Sequence, residues 1–126
     1  MRSSIRALSA VVALGLIASI AQAAESKAVQ TMAGILTSLQ HMPSADAKQT
    51  LAQIAEDKAA TANERTIAKA LMNVQHKAAA TDKASLEAIA ADAKASSGEK
   101  TLAGVILSLN HFPSAGDKEK LAALSK

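Results

Sequence analysis

The predicted fold rests on the stretch Leu39-Gln40-His41-Met42-Pro43-Ser44-Ala45, because the chain repeats it. The second copy, near the C-terminus, reads Leu109-Asn110-His111-Phe112-Pro113-Ser114-Ala115. A less similar copy, Val74-Gln75-His76, lies midway between the two. The three histidines of the protein are therefore 35 residues apart, and this spacing indicates a repeat.

Each copy of the stretch has the pattern of a boundary between two helices. The residue before a proline is disfavoured in the helical region, so a helix is predicted to end where His41 and Met42 meet Pro43. Ser44 is a good N-cap for the next helix, and the carboxylate of Asp46 in its first turn complements the helix dipole. In the middle copy Ala78 replaces the proline, so we predict a softer break near His76 and Lys77 and a cap at Thr81–Asp82.

The rest of the chain favours an all-α fold, since it is rich in Ala, Leu, Lys, Glu and Gln and shows apolar residues at helical spacing. Helix starts are predicted at Ser26, Thr61 and Ser96, which are again 35 residues apart. The last two open capping boxes, with a glutamate three residues on that can bond back to the cap (Glu64 and Glu99).

The expected fold is three αα-hairpin repeats of 35 residues, six helices in all, with units 26–60, 61–95 and 96–126. Leu51, Leu86 and Leu121 keep the same register on the inner faces of the second helices. The hairpins can form a short solenoid-like stack or close around one another as a compact helical bundle. The similarity of the units favours the stack.

Residues 1–23 read as a signal peptide: a basic start, an apolar run and Ala21-Gln22-Ala23 as the cleavage pattern. We expect cleavage after Ala23, a single domain over 24–126 and a periplasmic or secreted location. An uncleaved anchor is the alternative, although the run is short for a span of roughly 20 residues. Loss of Arg2 and Arg6 leaves 12 basic and 11 acidic residues, a net charge of +1.

Composition argues against several classes of partner. The charges of the mature chain are interleaved and Phe112 is its only aromatic residue, so a nucleic-acid surface is not expected. The same lack of aromatic anchors and of net charge argues against membrane insertion after signal cleavage. The chain has no cysteine, so no disulfide can stabilise it.

His41, His76 and His111 are the first candidate site. A metal site needs ligands at about 2.0–2.1 Å from the ion, whereas equivalent positions of stacked hairpins are expected roughly 8–10 Å apart. On that geometry no metal site and no cofactor are predicted. The favoured interpretation places each histidine in the last turn of a helix, where it meets free carbonyl groups. A pH-sensitive role is the alternative, since three protonations would raise the net charge from +1 to about +4.

Gly34 and Gly104 are the second candidate site, because each lies within a predicted helix, where glycine costs about 1 kcal/mol relative to alanine. Close packing between helices of the same protein is the favoured explanation. A groove approached by a partner is the alternative.

No catalytic motif, such as a Gly-x-Ser-x-Gly turn or a His-Glu-x-x-His helix, occurs in the sequence, so we do not expect an enzyme. The leading hypothesis is a small exported helical-repeat protein that binds a protein or peptide. The alternatives are a carrier of a metal or small ligand that uses the three histidines, and an envelope protein that protects against acid or stress.

Overall fold

The computed structural model describes residues 25–125, so the predicted signal peptide lies outside the described residues. Within this range the chain forms six α-helices and no strand, which confirms the prediction of an all-α fold with six helices. The helices are α1 (Lys27–Thr37), α2 (Ala45–Glu56), α3 (Ala62–Met72), α4 (Ala80–Ala91), α5 (Ser97–Ser108) and α6 (Ala115–Leu124).

Most helix starts lie where the sequence predicts them. A serine or threonine side chain accepts a backbone N–H at five of the six N-caps, which are Ser26, Ser44, Thr61, Ser96 and Ser114. Both capping boxes are formed, with Glu64 and Glu99 bonded back to the cap backbone.

The predicted start of α4 at Thr81–Asp82 is wrong. Its N-cap is Ala79, which is 35 residues from both Ser44 and Ser114 and has no side chain that can cap the helix. Ala78 is buried immediately before it. Packing of this segment therefore sets the start of α4, overriding the local preference of threonine for the cap position.

The predicted ends of α1 and α3 are also wrong. α1 ends at Thr37 and α3 at Met72, each four residues before a histidine. Leu39 and Pro43 are both buried, so the segment between α1 and α2 is held at two points and turns between them. These anchors, more than the proline alone, decide where the helix ends.

The six helices form a closed arrangement. α1, α3 and α5 contact one another at the centre, and α2, α4 and α6 lie around them. The most extensive packing joins α2 to α3, α4 to α5, and α6 to α1, so it crosses the boundaries of the predicted hairpin units. Because the last helix packs against the first, the stack closes on itself as a compact bundle and does not form an open solenoid.

The core is built from sets of three equivalent side chains, and the members of each set are 35 residues apart in sequence. The fully buried sets are Met32 with Ile67 and Leu102, Leu36 with Leu71 and Ile106, and Leu51 with Leu86 and Leu121. The three leucines predicted to share one register are therefore all buried. Small residues of the central helices, such as Ala33, Ala68 and Ala103, are also fully buried and allow these helices to approach closely.

A ring of hydrogen bonds joins the N-terminal ends of the three central helices. The hydroxyl of Ser26 donates to Glu64 (2.5 Å), and that of Thr61 donates to Glu99 (2.7 Å). Ser96 completes the ring by donating to Glu25 (3.3 Å). The caps of the central helices are thus linked to one another as well as to their own backbones.

Glu25 takes the third place in this ring because α1 has Val29 where the other central helices have a capping glutamate. Its carboxylate also accepts the backbone N–H of Gly98 at 3.2 Å. A Cβ atom at residue 98 would lie 2.6 Å from Cδ of Glu25 and 2.8 Å from Cγ1 of Val29. Glycine at this position allows the close approach that closes the ring.

None of the helices formed by residues 25–125 has the length and hydrophobicity required to cross a membrane.

We predict that Ala79→Ser stabilises the protein. A serine hydroxyl at this N-cap can accept a backbone N–H in the first turn of α4, as Ser44 and Ser114 do in their helices. We expect a gain of about 0.5–1 kcal/mol in the free energy of unfolding, measured by urea denaturation. Ser44→Ala is the matched control and should lose a similar amount. Equal stability of Ala79→Ser and the wild type would contradict this account of the α4 start.

Candidate metal centre

Each histidine lies at the middle of a short segment that joins a central helix to an outer one. The segment around His41 is held by buried Leu39 and Pro43. Its counterparts are held by Val74 and Ala78 around His76, and by Leu109 and Pro113 around His111. The three histidines themselves are exposed.

The backbone of each histidine is in the left-handed region. The φ angles are 69° at His41, 68° at His76 and 73° at His111, and these are the positive φ values of non-glycine residues in the described chain. Such a conformation costs on the order of 1 kcal/mol for an L-residue, and histidine is among the residue types enriched there. Three strained residues at equivalent positions mark this end of the bundle as a candidate functional site.

Backbone hydrogen bonds between the histidines stabilise this conformation. The N–H of His41 donates to the carbonyl of His111 at 2.7 Å. The N–H of His76 donates to the carbonyl of His41, and that of His111 to the carbonyl of His76, both at 2.6 Å. Each histidine is thus donor to one neighbour and acceptor from the other, which places the three residues around one approximate threefold axis.

The imidazole rings meet on that axis. The Nδ1 atoms are separated by 3.2 Å (His41 to His76), 3.3 Å (His41 to His111) and 3.0 Å (His76 to His111). The ring centroids are farther apart, at 4.9–5.2 Å, and the ring planes are inclined by 70–78°. The Nδ1 edges of the three rings therefore face inward.

The expected separation of roughly 8–10 Å between the histidines is wrong. That distance assumed units stacked in a row, whereas the closed bundle turns all three segments toward one axis. The helix-end interpretation is also wrong, since the histidines lie beyond the C-caps of their helices, such as Ser38 and Asn73, and their rings contact one another. The geometric argument against a metal is thereby removed.

Three imidazoles at these distances cannot all form hydrogen bonds with one another through their Nδ1 atoms. A ring nitrogen either carries a proton and donates, or presents a lone pair and accepts. Two of any three nitrogens must be in the same state, so at least one of the three Nδ1 contacts is not a hydrogen bond. A cation that accepts all three lone pairs would remove this conflict.

The geometry fits a transition-metal ion. Nitrogens with these separations lie about 1.8 Å from their common centre, so an ion at about 2.0–2.1 Å from each would lie about 1 Å outside their plane. Three protein ligands on one side of the ion leave its other side to solvent. Catalytic zinc sites also have three protein ligands and an open position, whereas structural zinc sites are closed by four protein ligands.

The ligand set has no acidic side chain: the candidate cluster within residues 25–125 consists of His41, His76 and His111 alone. Neutral imidazoles would leave the full charge of a divalent ion in place. The ion would then favour an anionic or water ligand at its open positions.

Gly34 and Gly104 do not belong to this centre, and close helix packing does not explain them. A Cβ atom added at either residue would have no heavy atom of a neighbouring segment within 4 Å. Gly34 is exposed on α1, and Gly104 is half-buried beside a groove of about 510 Å³ between α5 and α6. Binding of a partner in this groove stays a prediction.

The sequence contained one signal for the histidine cluster that local rules did not explain. The middle copy of the repeated stretch keeps His76 although it has lost the proline and the serine. In the structure His76 supplies one third of both the backbone ring and the imidazole cluster, which accounts for its presence. The left-handed backbone was not marked by a glycine or an asparagine, and the histidines themselves were its only signal.

Comparison with known proteins adds no further assignment, since no protein-family model, curated protein or solved structure matches the chain.

We predict that Gly34→Ala and Gly104→Ala each stabilise the protein by about 0.5–1 kcal/mol. Both positions lie within helices and have space for a methyl group, so alanine gains its helix propensity without a clash. The measurement is chemical denaturation of each variant. Gly98→Ala is the matched control and should destabilise, because its Cβ would meet Glu25 and Val29. Loss of stability in Gly34→Ala and Gly104→Ala would mean that a neighbouring segment of the protein packs closely against these glycines.

Proposed function

We propose that this protein binds and exchanges one divalent transition-metal ion through Nδ1 of His41, His76 and His111. The observation that carries the proposal is the convergence of three Nδ1 atoms to within 3.3 Å of one another. Their 35-residue separation in sequence means that the closed fold, and not a local motif, assembles the site.

Exchange is favoured over a purely structural role. The three ligands are exposed, and they would occupy one side of the ion only. An ion held in this way can be reached by water, by a competing chelator or by the ligand of another protein. Bound metal would also tie the three connecting segments together and stabilise the fold, because the unfolded chain lacks the site.

The donor atoms indicate which metals are suitable. Imidazole nitrogen binds Zn²⁺, Cu²⁺ and Ni²⁺ well, and Cu²⁺ binds a given site most tightly in the divalent series. Hard cations such as Mg²⁺ and Ca²⁺ prefer oxygen ligands and should bind poorly. Metal binding also requires unprotonated nitrogens, so acid should release the ion.

In this proposal the protein is an exported, non-catalytic metal-binding protein of the periplasm or the extracellular space. Export is inferred from residues 1–23 of the sequence. Binding of a protein or peptide remains compatible with it, since a metal carrier must meet a donor or an acceptor. Met42 and Phe112, which follow His41 and His111, are exposed and lie beside the site.

We predict that the protein binds Zn²⁺ with a stoichiometry of one ion per chain and a Kd on the order of 1 μM or below. Isothermal titration calorimetry measures both values. At a hundredfold excess over Kd, bound Zn²⁺ should raise the free energy of unfolding by about 2.7 kcal/mol, which is visible as a higher Tm. Mg²⁺ should have no such effect.

His76→Asn is the decisive variant, because asparagine also tolerates the left-handed region but lacks the imidazole. It should fold with nearly wild-type stability and bind Zn²⁺ at least about tenfold more weakly, a loss of about 1.4 kcal/mol. His76→Ala separates the two roles, since it should lose metal affinity and also about 1 kcal/mol of stability. Unchanged Zn²⁺ affinity in His76→Asn would contradict the proposal.

A further inference from the structure

A pocket of about 360 Å³ lies beside His41, one of the three candidate metal ligands. It lies between the C-terminal end of α1 and the first turns of α6. His41 forms part of its wall, so a molecule in the pocket lies beside one of the three metal ligands.

The pocket combines a cation with an aromatic ring. Lys118 supplies the ammonium group and Phe112 supplies an apolar surface that is 56% exposed. Ser38 and Gln40 add a hydroxyl and an amide, and none of the residues that line the pocket is acidic. This lining fits a small molecule that is anionic at one end and apolar at the other.

A metal ion bound by the three histidines would also prefer an anionic ligand. Imidazole is uncharged when it binds a metal, so a divalent ion held by the three histidines would keep its charge and have open positions toward solvent. A carboxylate at an open position of the ion would be attracted by the dication, and the ammonium of Lys118 in the lining of the same pocket would add a second attraction. Both groups favour an anion over water or a neutral ligand.

The aromatic ring makes this side of the axis different from the other two. The residue that follows each histidine is Met42, Lys77 or Phe112, so the sole aromatic side chain of the chain lies at one of three equivalent positions. An aromatic carboxylate could stack on Phe112, whereas acetate could not.

We propose that the metal-loaded protein binds a small aromatic carboxylate in this pocket, with the carboxylate as the ligand at an open position of the metal ion. This inference rests on the proposed metal site and goes beyond it by naming the class of the remaining ligand. No bond is made or broken in the organic ligand, which exchanges with metal-bound water.

The experiment uses the protein loaded with Co²⁺, whose visible absorption changes when a ligand of the ion is exchanged. Binding of Co²⁺ is measured first, so that failure of the metal site is distinguished from failure of the pocket. Benzoate is then titrated into the loaded protein, with benzamide as the neutral analogue and acetate as the anion without a ring. We expect benzoate to change the spectrum with saturation, acetate to bind more weakly, and benzamide to have no effect.

Two variants test the roles of the pocket residues. Lys118→Ala should weaken benzoate binding by about fivefold. Lys58→Ala, which removes the same charge at the opposite end of the bundle, should leave benzoate binding unchanged. Phe112→Ala should remove the preference for benzoate over acetate.

Four results would overturn this inference. Absence of Co²⁺ binding would remove it together with the metal site. Binding of Co²⁺ with no spectral response to benzoate would leave the metal site intact and reject the carboxylate ligand. Equal spectral responses to benzamide and benzoate would show that the charge of the ligand is not recognised. Equal losses of benzoate affinity in Lys118→Ala and Lys58→Ala would show that only the overall charge of the protein matters.

Discussion

Backbone hydrogen bonds among His41, His76 and His111 form a closed ring, and the position of every candidate ligand atom depends on that ring. Each of the three bonded histidines lies in the segment that joins a different pair of helices. The ring can therefore form only when the bundle is closed. The left-handed backbone at each histidine then turns the side chains toward the axis. The candidate metal centre is in this sense a product of the closure of the fold.

A second ring lies at the other end of the central helices, which are about 17–18 Å long. There the capping hydroxyls of Ser26, Thr61 and Ser96 each donate to a carboxylate of the neighbouring segment. The two rings, with the buried side chains between them, hold the central helices in one relative orientation. A thin core of leucine, isoleucine and alanine can therefore hold three distant histidines within hydrogen-bond distance.

Local sequence rules were sufficient for the helices and most of their starts, because capping and apolar periodicity act within a few residues. Ser26, Thr61 and Ser96 are N-caps as predicted. Leu51 and its equivalents in the other two units, Leu86 and Leu121, are all buried. The same rules misplaced the start of α4, where burial of Ala78 decides, and the end of α1, where Leu39 and Pro43 anchor the chain.

The histidine cluster could not be predicted by such rules, since it depends on contacts between the first helix and the last. An open stack and a closed bundle have the same local pattern, yet they place the histidines at very different distances. The choice between them is made by the packing of α1 against α6 and by Glu25, which completes the cap ring in the absence of a glutamate at Val29. His76, which local rules did not explain, was the one sequence signal that we identified for this long-range geometry.

The central claim is that one ion is held by three Nδ1 atoms, and X-ray absorption spectroscopy of the Zn²⁺-loaded protein tests it most directly. We expect a first shell that includes three imidazole nitrogens at about 2.0–2.1 Å, with a light-atom ligand from solvent completing the coordination. His76→Asn should lose one imidazole from that shell. A shell made of oxygen atoms, or one with fewer than two imidazoles in the wild type, would contradict the claim.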